Sequence, residues 1–135
     1  MESIKNIMNL IVSSMSTIFI YLFGGLDIAL QCLLISIVID YLTGLMKSYK
    51  SSKLNSKIGI KGIIKKVGIL CLVALAVLID KIAGETGLIR TLIIYYLFAN
   101  EGLSIVENLG EIGILVPKFL TDRLEQLKEG TKNEK

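Results

Sequence analysis

Between Lys47 and Lys66 the chain carries seven lysines, Lys47, Lys50, Lys53, Lys57, Lys61, Lys65 and Lys66, and no acid. Long apolar blocks flank this run on both sides. A soluble domain shows apolar stripes at the period of its helices or strands, whereas this chain shows apolar blocks. Blocks of this kind joined by a basic loop read as a membrane hairpin whose turn stays in the cytoplasm, because short cytoplasmic loops keep an excess of Lys and Arg. The formal net charge of +3 hides the feature. The positive charge is gathered in one loop and not spread over a face, which argues against nucleic acid as a partner.

A helix needs about 20 mostly apolar residues to cross a bilayer. Ile28 to Met46, Val67 to Ala83 and Leu88 to Val106 meet that requirement. Ile7 to Phe23 is diluted by Asn9, Ser13, Ser14, Ser16 and Thr17. Four spans would place both termini inside and the Gly84-Glu85-Thr86-Gly87 turn outside, with Lys81 and Arg90 reaching to the outer interface. Three spans plus an interfacial first helix is the alternative. The start, Met1-Glu2-Ser3 with Lys5, has no A-x-A-like site after its apolar stretch, so it reads as a retained span and not a cleaved signal. Beyond Pro117, Leu120, Leu124 and Leu127 recur at helical spacing with charges opposite, and Gly130 is placed to end that helix. The fold class is therefore an all-α membrane protein. Residues 1–116 form the membrane domain with its basic loop 47–66, and residues 117–135 a charged cytoplasmic tail.

With 53% hydrophobic residues, a mean hydropathy of +0.67 and no His or Trp, the chain lacks the commonest general base and metal ligand. Cys32 and Cys71 match no zinc or redox spacing and read as small hydrophobes. No enzyme, metal or cofactor is expected.

The polar residues inside the spans are more informative. Ala29, Cys32, Ser36, Asp40, Thr43 and Lys47 follow at intervals of three or four and share one helix face, with Gly44 at its border. Such a line either lets helices approach closely within one chain or forms a subunit interface or lumen wall. Glu101, Ser104 and Asn108 share a face of the last span, as a hydrogen-bonded knot or as part of a lumen. Counting about 1.5 Å per residue, Asp40 and Glu101 lie at similar depth from the lysine loop. Two unpaired carboxylates there would be too costly. They must share a proton, reach Lys47 or the Lys65-Lys66 pair, or face water. Asp80 lies near the outer end, where an interfacial role is expected. Lys50, Lys53, Lys57, Lys61 and Lys65 run at helical spacing, either as a basic amphipathic helix on anionic headgroups or as an ordinary cytoplasmic loop.

The order Asp40-Tyr41-Leu42-Thr43-Gly44, Lys53-Leu54-Asn55-Ser56, Gly59-Ile60, Lys65-Lys66, Glu101-Gly102-Leu103-Ser104-Ile105-Val106-Glu107-Asn108 and Pro117-Lys118 resembles the phage-lysis and toxin-secretion holins. That family includes the holin-like proteins encoded beside large clostridial toxins. The resemblance covers roughly Asp40 to Leu127, and the family's Glu-Ser-x-Ser-Ile element stands here with Gly102 in its second position. It implies a multi-pass protein of the bacterial inner membrane that homo-oligomerises among the lipids and opens holes. The implied passenger is a cell-wall hydrolase or a large toxin without a signal peptide. Two other readings stay open: a small proton-coupled multidrug transporter, and an antiholin-type regulatory partner.

Overall fold

The computed structural model describes residues 1–84 and 86–133. Glu85 of the expected turn and residues 134–135 of the expected tail lie outside them. Five helices follow in order: α1 (Glu2–Phe23), α2 (Ile28–Lys50), α3 (Ser56–Ala83), α4 (Leu88–Ile112) and α5 (Lys118–Asn133). The first four are long and apolar enough to cross a membrane. Each expected span lies inside one of them.

Local chemistry sets most of the helix ends. Asp27 and Asn55 cap α2 and α3, their side chains accepting from the Leu30 and Ile58 amides at 3.0 Å. Gly24, at φ 75°, ends α1 in a left-handed conformation that costs a side chain-bearing residue energy. α2 extends past the apolar block to Lys50, where Lys47 and Lys50 suit the negative end of the helix dipole. The basic segment is consequently not one helix. Lys50 closes α2, Lys53 lies in the turn, and Lys57, Lys61 and Lys65 belong to α3. Asn55 starts a new helix there, which divides the row of lysines that spacing alone had joined. Gly130 does not end α5, which continues to Asn133.

The core is built by α2, α3 and α4 around Leu30, Leu33, Ile37, Ile69, Val73, Ile94 and Leu97. α4 is central and packs against α2, α3 and α5. Between α2 and α3, Gly62 lets the backbone approach the Tyr41 ring, where an added Cβ would come within 3.1 Å. Among the described residues α1 has none that is buried, and its backbone packs only on α3. Phe19 and Phe23 near its end lie against the core, their rings 4.8 Å apart.

Polarity is inverted relative to a soluble bundle. Ile35, Val38 and Leu42 of α2 and Ile64, Val67 and Leu75 of α3 are exposed, while Asp40, Lys66, Asp80, Arg90 and Glu101 are buried. Lipid covers such apolar faces, and intramembrane charges turn inward toward one another. The helix expected after Pro117 is present as α5, and it folds back antiparallel along α4, Leu124 meeting Gly102 and Lys128 lying 6.0 Å from the Tyr96 ring.

Candidate functional site

Three helices each bring one charge to the same buried point. Lys66 of α3 donates to Oδ2 of Asp40 on α2 and to Oε2 of Glu101 on α4. All three are buried, Glu101 at 2% exposure. Of the outcomes open to the two carboxylates, the structure selects pairing through Lys66. The reason is register. Tyr41 seated against Gly62 brings α2 and α3 close one turn of α3 below Lys66, and the ammonium then spans the gap to α4. Asn108, two turns along α4 from Glu101, donates to Asp40 Oδ1 and Thr43 Oγ1, each at 3.1 Å. Among the described residues every buried side-chain nitrogen and oxygen has a hydrogen-bond partner. One ammonium between two ionised carboxylates leaves the cluster with one surplus negative charge. It is neutral only when one carboxyl holds a proton.

A crevice of 250 Å³ reaches this cluster from the lysine end. Asp40, Gly44, Lys47, Lys66, Ser104 and Asn108 are among its walls. Lys47 pairs with Glu111 at 2.7 Å. Lys50 donates to the Glu111 and Ile112 carbonyls at 3.2 and 2.6 Å, satisfying the end of α4 instead of pointing away from the bundle. Lys53, Lys57, Lys61 and Lys65 are exposed.

The stripe on α2 divides by depth. Ser36, Asp40 and Thr43 are buried and Gly44 is half-buried. Toward the other end Leu30 and Leu33 take over the buried face, leaving Ala29 half-buried and Cys32 exposed. Ser36 donates to the Leu33 carbonyl at 2.7 Å in a space already filled. Ser36→Leu is expected to cost about 1–3 kcal/mol by overpacking. Ile35→Leu, at a position 59% exposed, should stay within about 0.5 kcal/mol. Denaturant unfolding in detergent micelles measures both, and equal stability of the two variants would refute the assignment.

A second charged site closes the opposite end. Arg90 is buried and does not reach outward as expected. It forks onto Asp27 at 2.8 and 3.1 Å and donates to the Phe23 and Gly25 carbonyls at 2.6 and 3.0 Å. A Cβ on Gly24 would lie 2.8 Å from Arg90 Nε, so the turn needs glycine on two counts. Asp80 has a role that its position in the sequence did not reveal. Gly87 has no side chain with which to cap α4. Asp80 of α3 accepts instead from the Ile89 and Arg90 amides at 3.1 and 2.7 Å. Lys81 donates to the Tyr21 carbonyl at 3.0 Å and lies over that residue's ring.

These groups pair charges, cap helix ends and hold α2, α3 and α4 in register. Among the described residues no group of His, Cys, Asp and Glu could hold a metal ion.

Residues 17–129 match the bacteriophage holin family. Over 128 residues the chain is 43% identical to an uncharacterised 14.9 kDa protein from the nagH 3' region of Clostridium perfringens, covering 94% of this chain and 97% of the relative. It is 46% identical over 103 residues to an uncharacterised protein of Listeria monocytogenes, covering 76% and 74%. Over 108 residues it is 36% identical to a protein of Bacillus phage phi105 described as a probable holin, covering 80% and 79%. No solved structure matches the chain significantly.

Proposed function

This chain belongs to the bacteriophage holin family, and from that premise we propose that it homo-oligomerises in the cytoplasmic membrane and opens holes. A cell-wall hydrolase or a large toxin lacking a signal peptide passes through them. The observation that carries the reading is the filled interior of the single copy. Leu30, Leu33, Val73 and Ile94 are fully buried where the three core helices meet, so one copy has no passage through its centre. A hole for a protein must therefore be enclosed by many copies. Membrane residence is supported by the inverted polarity of the bundle and by its four apolar helices.

Expression of the chain alone in a bacterium tests this. A potential-sensitive dye should report abrupt collapse of the membrane potential once the protein has accumulated. Cells that stay energised at equal membrane abundance would refute hole formation. An antiholin-type partner would instead delay lysis by a co-expressed holin, and a drug transporter would raise drug tolerance in energised cells.

The orientation follows from the lysine-rich end, which faces the cytoplasm under the positive-inside rule. Single cysteines at Ser52 and Thr86, in a background lacking Cys32 and Cys71, check it. An impermeant thiol reagent should label intact cells at position 86 alone. Labelling at position 52 would reverse the topology.

A further inference from the structure

α5 raises a difficulty for a membrane protein. It is short, charged and joined to α4 by a brief link, so it starts beside the end of that span. Gly113, at φ 101°, ends α4, the Ile114 amide turns back to the Leu109 carbonyl at 2.9 Å, and α5 begins at Lys118. The chain therefore reverses, and α5 runs beside the membrane-crossing length of α4. Leu124 presses on Gly102 so closely that an added Cβ would lie 2.7 Å from it. Further along, Leu127 and Gly130 share a cavity of 410 Å³ with Leu88, Thr91 and Tyr95, near the far end of the span.

The side of α5 turned away from α4 is the problem. Asp122, Arg123, Glu125 and Glu129 are exposed there. At that depth the surroundings are hydrocarbon unless other copies enclose water. Charged side chains in hydrocarbon are expelled, paired or hydrated. Among the described residues Arg123 alone has a contact on this face, to Gln126 at 3.4 Å, so pairing within the copy leaves the acids unanswered.

We propose that the outward face of α5, carrying Asp122, Arg123, Glu125 and Glu129, is the water-facing wall of a lumen enclosed by several copies, and that α5 lies along α4 only in that assembled state. The inference rests on the hole-forming reading above and adds the surface that lines the hole. In an unassembled copy among lipids the same face draws α5 off α4 toward the aqueous boundary, pivoting at the Gly113–Pro117 link. Docking of α5 and formation of the lumen are thus one event. On the outward face Asp122, Glu125 and Glu129 outnumber Arg123, while Lys128 turns toward the Tyr96 ring of α4, so the wall prefers cations.

The test uses the full chain, purified and reconstituted into vesicles of phosphatidylethanolamine and phosphatidylglycerol. Gly102→Cys with Leu124→Cys, in a background lacking Cys32 and Cys71, places two thiols across the α4–α5 contact. The disulfide should form in permeable vesicles, and the oxidised protein should release trapped dye at least as fast as the reduced protein. In planar bilayers with a KCl gradient kept at ~10 mM, where wall charges act over about 30 Å, Glu125→Lys with Glu129→Lys should move the reversal potential toward that of chloride. A locked form that seals vesicles which the reduced form permeabilises would overturn the proposal, since α5 would then be a strap against assembly. So would the absence of the disulfide in leaking vesicles, or a reversal potential unmoved by the two lysines. If the protein without introduced thiols also fails to permeabilise vesicles, the hole-forming reading itself fails.

Discussion

Lys66→Met is expected to destabilise the bundle by about 3–5 kcal/mol, the cost of removing one partner from a buried ion pair. The loss exceeds that of an ordinary core substitution because Lys66 answers two carboxylates at once. Without it Asp40 and Glu101 face each other across a dry contact between α2 and α4. Both would have to take up protons or draw in water through the crevice. Methionine retains most of the packing of the lysine stem, so the effect isolates the charge. Unfolding by denaturant in micelles should show the shift, and cells should accumulate less intact protein. Adding Asp40→Asn and Glu101→Gln to Lys66→Met should restore most of the loss, because no charge then remains in the cluster. If Lys66→Met alone unfolds like the parent, the cluster does not hold the helices. The single neutral swaps address function. A cluster with one surplus negative charge is less costly in water, so its hydration favours any state that wets it. Asp40→Asn or Glu101→Gln should therefore insert normally and alter when, or how far, the membrane becomes permeable.

Arg90→Ala should be the second large loss, about 3 kcal/mol, since hydrogen bonds to charged groups contribute about 1.5–3 kcal/mol each and several are broken together. Its guanidinium ties the α1–α2 turn to the start of α4, so the loss should loosen α1 first. Hydrogen exchange at Phe23 to Leu26 should accelerate while the Asp40–Lys66–Glu101 end stays protected. Arg90→Lys should recover little, because an ammonium cannot fork onto Asp27 and reach both carbonyls. The same pair predicts a pH dependence. The Arg90 hydrogen bond holds the Asp27 carboxyl below its ordinary range, against a smaller opposing effect of burial. A depressed carboxyl contributes stability that is complete above its unfolded pKa, about 3.9, and lost as pH falls through the lower folded value. Acidification below about pH 4 should accordingly loosen the α1–α2 turn. Asp27→Asn should abolish that dependence. Asp27 is half-exposed, with 52% of its side chain accessible, so solvent screening keeps the effect small.

Where reading the sequence stopped short, the cause was usually that a pattern along one helix does not state its partners. The interval of three or four placed Ser36, Asp40 and Thr43 on one face, and depth counting set Asp40 level with Glu101. Neither could choose among Lys47, Lys65 and Lys66, since adjacent lysines on a helix point about 100° apart and only packing selects one. Arg90 looked like an interfacial residue because arginines near span ends often are. Its actual partners, Asp27, Phe23 and Gly25, are more than sixty residues away. Asp80 capping α4 was illegible for a related reason. Gly87 signalled a turn, but nothing local signalled that the preceding helix would supply the missing acceptor.

What the sequence determined by itself is the partition between lipid and water. Apolar blocks of spanning length and a run of lysines without acids set the type and the places of the helices, because transfer of side chains into hydrocarbon is a property of composition and length. Tertiary structure alone decided which polar groups meet. Lys66 stands between two carboxylates, Asp80 serves a neighbouring helix, and α5, whose leucine spacing marked it as an amphipathic helix, lies against α4. Those outcomes depend on helix rotation and register to within a few ångströms. At that scale an ammonium either spans two helices or misses them, and Gly102 either admits Leu124 or excludes it.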